Sequence, residues 1–225
     1  MLAPQHREAA RDMARKSVVL LKNDDQLLPL DKNIKDIAVI GPLADNQFHM
    51  NGFWRGKGEA EDVVTLLDGI KAKVSSNTRV RYAEGSGLES VDKKQLRKAV
   101  KLAKKSDVVI LAVGEDADKT GESASRTNIE LYPAQQELVK AIHETGTPVV
   151  MVLMNGRPLA IEWSSENIPS ILNGWLLGSE AGNALADVLF GDYNPSGTLT
   201  MTAPRNTGQI PTFSNTIRVS CPLAN

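Results

Sequence analysis

Two glutamates near the middle of the chain, Glu115 and Glu122, are candidates for acid–base chemistry. Glu115 comes directly after the apolar segment 108–113, and Glu122 stands in the strongly charged segment that follows. Glycoside cleavage uses paired carboxylates: one protonates the leaving oxygen, and another acts as nucleophile or base. Because most Asp and Glu side chains are simply solvated, the position of Glu115 is the stronger clue. A residue that follows a buried strand has a fixed backbone, and we expect its side chain to face water.

Other catalytic and binding chemistries lack the residues that they need. The three histidines, His6, His49 and His143, are scattered, and the single cysteine is Cys221, so the sequence predicts no metal site. Ser86 in EGSGLE is a weak match to a serine-nucleophile motif and has no histidine partner. There is no G-x-G-x-x-G and no Walker motif, and an acidic site would repel phosphate. The sequence therefore predicts no cofactor and no nucleotide ligand.

The composition is that of a globular chain. Of 225 residues, 41% are hydrophobic and 24% are charged, and the net charge is -1. A chain so close to neutral has no general attraction for nucleic acid or for an anionic membrane. No apolar run reaches membrane-spanning length, and the charged N-terminal segment does not resemble a signal peptide. The sequence predicts neither a nucleic-acid nor a membrane partner, and it leaves the compartment open.

Segments with helical and strand-like patterns alternate along most of the chain. Predicted helices cover 6–21, 63–74, 91–105, 133–144 and 179–189, and predicted strands cover 36–42, 79–85, 107–113, 148–156 and 168–176. Strands that are apolar on both faces pair in parallel inside a sheet that is covered by helices. The alternating segment 196–204 predicts a further edge strand. We therefore predict a three-layer α/β/α sandwich with a mostly parallel sheet of about six strands.

The predicted loops bring polar side chains to one edge of this sheet. In open α/β sheets, ligands bind outside the carboxyl ends of the strands, where the loops lead into helices. The residues expected to meet there are Asp45, Asn46, Trp54, Glu115, Glu122, Arg126, Arg157 and Glu180. An acidic rim with an exposed aromatic ring is more typical of a carbohydrate surface than of a phosphate site.

Several segments spread along the chain form a recognisable series. They are, in order, AARDMARKSVVLLKNDDQLLPL, IAVIGPLAD, DVVILAVGE, ESASRTNIELYPAQQELV, PVVMVLMNGRPLAI and ILNGWLLGSEAGNALADVLFGDYNPSGTLTMTAPRNTGQIP. The string GNALADVLFGDYNPSG, residues 182–197, is the most specific part of the series. Together the segments closely resemble the second domain of family-3 glycoside hydrolases, in particular bacterial β-glucosidases. The resemblance extends from about residue 6 to residue 213.

The resemblance implies an activity and roles for particular residues. In this family a barrel domain comes first and supplies an aspartate nucleophile. The α/β sandwich then supplies the general acid/base for retaining hydrolysis of terminal β-D-glucosides. A Gly-Glu pair after the third strand matches Gly114–Glu115, so Glu115 is the first candidate for the general acid/base. Glu122, just before a Ser-Arg pair, is the runner-up. Trp54 in NGFW is a candidate stacking platform, with burial under its loop as the alternative, and Arg126 is a second substrate-binding candidate.

The chain also departs from the family pattern at both ends. No barrel precedes residue 6, so the nucleophile aspartate is absent from this sequence, and a divergent tail at 214–225, expected to be weakly ordered, follows a domain spanning 1–213. The chain is therefore either the acid/base half of a β-glucosidase that needs a barrel, or a stand-alone module that is inactive or binds sugar weakly.

Two further expectations follow from the resemblance. The surface that a barrel covers is expected to be apolar around Phe48, Phe53 and Trp54, and on that ground we predict a homo-oligomer. The parent enzyme is expected in the periplasm or outside the cell. The preferred sugar is left unassigned, because the barrel holds most of the subsite for the non-reducing sugar.

Overall fold

A computed structural model describes residues 2–210 of the chain. The divergent tail predicted at 214–225 lies outside the described residues. The helices within them are α1 (Pro4–Ser17), α2 (Gln47–Asn51), α3 (Leu66–Lys73), α4 (Lys93–Ala103), α5 (Pro133–His143), α6 (Glu162–Asn167) and α7 (Ala181–Leu189). The strands are β1 (Val19–Asn23), β2 (Asp36–Ile40), β3 (Arg79–Ala83), β4 (Val108–Gly114), β5 (Val149–Met154) and β6 (Ser170–Asn173). In this part of the chain, no helix combines the length and hydropathy needed to cross a bilayer.

The strands form one sheet in the order β1-β6-β5-β4-β2-β3. Strands β2 to β6 pair in parallel with one another, with Ile37 opposite Val108 and Val109 opposite Val149. Strand β1 runs antiparallel to β6. Helices separate the parallel strands along the chain, because each parallel pair needs a crossover that returns the chain to the same end of the sheet. The predicted α/β fold with a mostly parallel sheet of about six strands is confirmed.

Helices cover both faces of the sheet and create two apolar cores. On one face Val39 belongs to a cluster that includes Leu66 of α3 and Leu185 of α7. On the other face Ile40 belongs to a cluster that includes Leu138 of α5. All seven residues of β4 are buried, as expected for a central strand with helices on both sides. Burying one such Leu or Ile side chain contributes about 1.5–3 kcal/mol, so these two cores hold the three layers together.

Two segments differ from their predicted elements. The predicted helix 6–21 ends at Ser17, and the residues after Val18 form β1. The run VVLL fits a helical period, but such residues also suit a strand, and the open edge of β6 pairs with them. The predicted strand 196–204 is not a strand. β1 takes the place beside β6 that an edge strand would need, and the backbone N–H of Gly197 donates to the carbonyl of Val18, just before β1, at 3.1 Å.

A buried ion cluster joins three helices of one layer. Asp187 of α7 has a side chain that is 3% exposed, and its carboxylate accepts two hydrogen bonds from Arg11 of α1, at 2.6 and 2.7 Å. Lys73 of α3 donates to the same carboxylate and also to Asp192 at 2.6 Å. Burial alone would raise the pKa of Asp187, but the hydrogen bonds from Arg11 and Lys73 outweigh it, and the pKa is lowered. The cluster therefore fixes α1 and α3 against α7.

Candidate active site

The loops that follow β2, β4 and β5 touch at the carboxyl edge of the sheet. Their strands are neighbours, in the order β5-β4-β2. In the loop after β4, Gly121 lies against the ring of Phe53 from the loop after β2, and a Cβ added there would lie 2.3 Å from that ring. Gly156, after β5, packs in the same way against Thr120, with a Cβ distance of 2.7 Å. These close approaches gather three loops into one surface, which is the candidate site.

Glu115 lies beneath this surface and not on it. Its side chain is 0% exposed, and its Oε1 lies 2.6 Å from Nη1 of Arg126 and 3.2 Å from Nε of Arg157. Its Oε2 accepts a hydrogen bond from the backbone N–H of Gly156 at 3.3 Å. The expectation that Glu115 faces water is therefore wrong. The loops after β4 and β5 close over the carboxylate, and each loop brings an arginine to it.

The glycine before Glu115 makes this burial possible. Gly114 has φ +148°, and a Cβ at this position would lie 1.9 Å from the carbonyl oxygen of Met154. Only glycine can adopt that backbone so close to a neighbouring strand. The N–H of Glu115 then donates to the same Met154 carbonyl at 2.8 Å. The chain turns inward at the end of β4, which places Glu115 between the sheet and its own loop.

Arg126, the second predicted substrate contact, is also occupied within the protein. Besides Glu115, its guanidinium donates to the carbonyl of Glu130 at 3.0 Å and lies 4.5 Å from the centre of the Tyr132 ring. Only 12% of its side chain is exposed. This geometry favours a structural role for Arg126 over the predicted contact with substrate.

Glu122 stands at the outer tip of the loop after β4 and is exposed. Within residues 2–210 no hydrogen bond or ion pair engages its carboxylate. Its neighbours Gly121 and Ser123 both have positive φ, +115° and +60°. A serine in the left-handed region is uncommon and costs roughly 1 kcal/mol or more, and such strain gathers at functional sites. The loop therefore presents Glu122 at a tight turn beside Phe53.

Two aromatic side chains form an exposed pair next to this turn. Trp54 is 72% exposed, and its ring meets that of Phe53 edge to face, with 5.1 Å between ring centres. Phe48 is also exposed, and the guanidinium of Arg55 lies 4.4 Å from its ring centre. The alternative that Trp54 is buried under its loop is wrong. Most of the indole ring is open to solvent.

The remaining residues predicted at the rim have structural contacts. Asp45 accepts a hydrogen bond from the hydroxyl of Thr65 at 3.1 Å, and Asn46 caps the N-terminus of α2. Glu180 is buried and pairs with Arg7 at 2.6 Å. These three side chains position the loops and α1, and they do not join the group around Glu122 and Trp54.

Three residues of the site have roles that the sequence analysis missed. Nδ1 of His49 accepts a hydrogen bond from the N–H of Ala117 at 3.1 Å, which requires the ring to be unprotonated at that nitrogen. Burial lowers the pKa of His49 against the opposing effect of Asp116, which fits that state. The hydroxyl of Tyr132 donates to Asp116 at 3.1 Å, and burial together with this carboxylate raises the pKa of Tyr132. One signal for this arrangement was available in the sequence. Asp116 stands three residues before Lys119, and its side chain caps the turn by accepting a hydrogen bond from the N–H of Lys119.

In the described part of the chain, no three His, Cys, Asp or Glu side chains are placed to share a metal ion. The site therefore offers carboxylate and aromatic chemistry from its own residues.

The fold and the site together define the class of this protein. It is a three-layer α/β domain whose loops gather an exposed glutamate and exposed aromatic rings at the carboxyl edge of the sheet. The family Glycosyl hydrolase family 3 C-terminal domain matches residues 18–221. The chain belongs to this family.

Relatives and solved structures agree with this membership. The chain is 47% identical to a Beta-xylosidase of Formosa agariphila over 212 residues, which cover 92% of this chain and 29% of that protein. It is 42% identical to the Periplasmic beta-glucosidase of Salmonella typhimurium over 237 residues, covering 96% of this chain and 31% of that protein. A crystal structure of the beta-glucosidase from Listeria innocua in complex with isofagomine superimposes with a TM-score of 0.92 at 36% identity. That match covers 98% of this chain and 30% of the other chain, so this chain spans about a third of the length of its relatives.

Proposed function

We propose that the chain is the α/β sandwich of a retaining β-glycosidase and supplies its general acid/base. A barrel domain would complete the site and provide the nucleophile. The observation that carries this proposal is the exposed carboxylate of Glu122, which no hydrogen bond or ion pair engages within residues 2–210. The neighbouring Gly121 packs against Phe53, whose ring contacts the exposed ring of Trp54. Family membership supports it, as do relatives named for β-glucosidase and β-xylosidase activity that are about three times as long.

Glu122, the runner-up of the sequence analysis, takes the acid/base role in this proposal, and Glu115 does not. A proton donor must come within hydrogen-bond distance of the leaving oxygen, about 2.6–3.2 Å. Glu115 has no exposed surface, and its two oxygens already contact Arg126, Arg157 and a backbone N–H. Glu122 satisfies the requirement of access, since it is exposed and makes no competing contact within the described residues.

The chemistry assigned to Glu122 has two steps. In the first, the barrel's aspartate attacks the anomeric carbon while Glu122 transfers its proton to the leaving glycosidic oxygen. The products of that step are a covalent glycosyl-enzyme and a free alcohol or sugar. In the second step the ionised Glu122 takes a proton from water, whose oxygen attacks the anomeric carbon and breaks its bond to the aspartate. The sugar leaves with the new hydroxyl, the aspartate returns as a carboxylate, and Glu122 is again protonated. No metal or cofactor takes part in either step.

Trp54 is proposed as the platform for the sugar beyond the cleaved bond. Its ring is held edge to face by Phe53, and Phe53 packs on Gly121, the residue before Glu122. The acid and the platform are thus linked by direct contacts. A sugar stacked on Trp54 would have its glycosidic oxygen near Glu122, which is the arrangement that proton transfer needs. A terminal β-glucoside or a β-glucosidic oligosaccharide is the proposed substrate.

The test compares two substrates in the chain joined to a family-3 barrel domain. Cellobiose has a poor leaving group and needs the proton, whereas 2,4-dinitrophenyl β-glucoside does not. Glu122→Gln should lower kcat/KM on cellobiose about 10²–10⁴-fold and should affect the aryl glucoside much less. Added azide should then yield β-glucosyl azide from the aryl substrate, because the glycosyl-enzyme accumulates without its base. Glu84→Gln, at an exposed glutamate after β3, is the matched control.

Two results would reject the proposal. One is undiminished cellobiose hydrolysis by the Glu122→Gln variant. The other is binding of cellobiose by the joined protein with no turnover of either substrate. The second result would favour the alternative of a sugar-binding module that acts through Trp54.

A further inference from the structure

Glu115 is a buried carboxylate that the proposed chemistry does not use. It faces two guanidinium groups, those of Arg126 and Arg157, so the buried cluster has one carboxylate for two cations. Charges removed from water are costly, and a buried ion pair by itself is weak evidence for stability. The role of this buried cluster therefore depends on the other groups that the two arginines contact.

Both arginines extend from Glu115 to the backbone of the loop that carries Glu122. Arg157 donates through Nη2 to the carbonyl of Lys119, and also to that of Ala124 at 3.0 Å. These carbonyls stand on either side of the turn at residues 121–123. Arg126 donates through Nη2 to the carbonyl of Glu130 at 3.0 Å, where the loop returns towards α5. One carboxylate is thus connected to both arms of the loop.

The other side of Glu115 is anchored to the sheet and to α5. Its own N–H bonds to the carbonyl of Met154 in β5 at 2.8 Å. The preceding residue, Gly114, exchanges two hydrogen bonds with the side chain of Gln135, at 2.7 and 2.9 Å. Gln135 is fully buried in α5. The carboxylate therefore has a fixed position relative to the core.

The loop itself needs such an anchor. Gly121 and Ser123, on either side of Glu122, both have positive φ, and the left-handed conformation of Ser123 is not favoured in a free peptide. The conformation must then be imposed by contacts from outside the turn. Such contacts include those of Arg157 on its two arms and of Phe53 on Gly121. In addition, Thr120 and Ala117 are held by Gly156 and His49.

We propose that Glu115 is a positioning residue that, through Arg157 and Arg126, holds the loop 116–126 so that Glu122 stands beside Trp54. The inference rests on the proposed function of Glu122. It gives a role to a buried glutamate that the proposed chemistry does not use. It also gives a reason for an arginine at position 157. The planar guanidinium contacts the carboxylate and two separate carbonyls from different nitrogens, whereas a lysine offers a single nitrogen.

The first measurement is hydrogen exchange of loop amides in the chain as it stands. The N–H groups of Ala117, Lys119, Thr120 and Ala124 are hydrogen-bonded inside or beside the loop. Glu115→Gln should speed their exchange at least about tenfold, while amides of β4 and β5 keep the wild-type rate. Glu84→Gln is the control and should change neither group. Wild-type exchange throughout the loop of Glu115→Gln would overturn the inference.

The second measurement uses the chain joined to a barrel and compares the same two substrates. Glu115→Gln should lower kcat/KM on cellobiose at least about tenfold more than kcat/KM on the aryl glucoside, because only the cleavage of cellobiose needs the proton of Glu122. A loss of folded protein would lower both rates equally, so the rates are compared per amount of folded protein; an equal loss on both substrates would then overturn the inference. If Glu115→Gln does not fold, Arg157→Lys, which retains the charge, takes its place. It should speed the exchange of the loop amides and lower activity on cellobiose more than on the aryl glucoside.

The outcomes separate this inference from the proposed function. Loosened loop amides in Glu115→Gln, together with full activity of Glu122→Gln, would refute the acid/base role and leave the anchoring of the loop standing. An inactive Glu122→Gln together with an unchanged Glu115→Gln would refute the positioning role alone.

Discussion

Replacing Asp187 by asparagine tests whether the buried ion cluster holds the helical layer of α1, α3 and α7 together. The substitution keeps the size of the side chain and removes its charge. Arg11 then loses a two-point partner, and Lys73 keeps only Asp192. Removing one member of a buried ion pair typically costs about 3–5 kcal/mol, because the other charge stays without compensation.

The expected cost is somewhat smaller because both cations are partly exposed. Water can reach Arg11 and Lys73, and the asparagine carbonyl can still accept one hydrogen bond, so we expect about 2–4 kcal/mol. For a chain of this size, with a urea m-value of about 2–3 kcal/mol per M, the unfolding midpoint should fall by about 1 M or more. The free energy of unfolding of a typical domain is about 5–15 kcal/mol, so the variant should fold but be clearly weakened.

Urea unfolding followed by far-ultraviolet circular dichroism measures this cost, with Asp12→Asn as the matched control. Asp12 lies on the same helix as Arg11 and pairs with Lys16, but its side chain is 34% exposed, so its loss should lower the unfolding midpoint much less than Asp187→Asn does. Equal costs for the two variants would refute the reasoning, since burial would then make no difference.

The difference in stability between the wild type and Asp187→Asn should depend on pH in a defined direction. The pKa of Asp187 is lowered in the folded state, so the unfolded chain binds its proton first as the pH falls. The stability that it contributes is complete above the unfolded value of about 3.9 and is lost as the pH falls through the lowered folded value. The difference between wild type and Asp187→Asn should therefore be full at pH 7 and shrink below about pH 4. A difference that stays constant from pH 7 to pH 3 would contradict the assignment of the charge.

Three further outcomes are expected. Gly69→Ala should cost about 3 kcal/mol in urea unfolding, because its Cβ would lie 2.1 Å from the carbonyl of Gly182 and force α3 from α7. Gly146→Ala, with positive φ but open space, should cost only about 1–2 kcal/mol, and equal values would contradict the packing argument. Trp54→Ala should change the free energy of unfolding by less than about 0.5 kcal/mol, yet raise KM for cellobiose about fivefold in the barrel-joined protein; an unchanged KM would exclude stacking. The chain alone should self-associate in sedimentation through the exposed Phe53–Trp54 pair, and a Trp54→Ser variant that associates equally would exclude that surface.

The architecture could be predicted from the sequence because the apolar patterns of its central elements are local and long. All seven residues of β4 are apolar or glycine, and helices with an apolar face alternate with such strands. That combination allows few arrangements other than a covered parallel sheet. The edge of the sheet could not be predicted in the same way. Residues 18–21 fit a helix as well as a strand, and only the open hydrogen-bonding edge of β6 decides that they pair there and that 196–204 does not.

At the site, the residue types could be read from the sequence and their roles could not. The sequence contains two glutamates seven residues apart after a buried strand, and it places Trp54 and two arginines in the predicted loops. Whether Glu115 or Glu122 faces solvent depends on the turn at Gly114 and on Arg157, which approaches from a loop 42 positions away in the sequence. A carboxylate is buried or exposed according to the charges that surround it in three dimensions, and those come from separate strands. The tertiary structure alone therefore places Glu115 inside, between two arginines, and Glu122 outside, exposed to solvent.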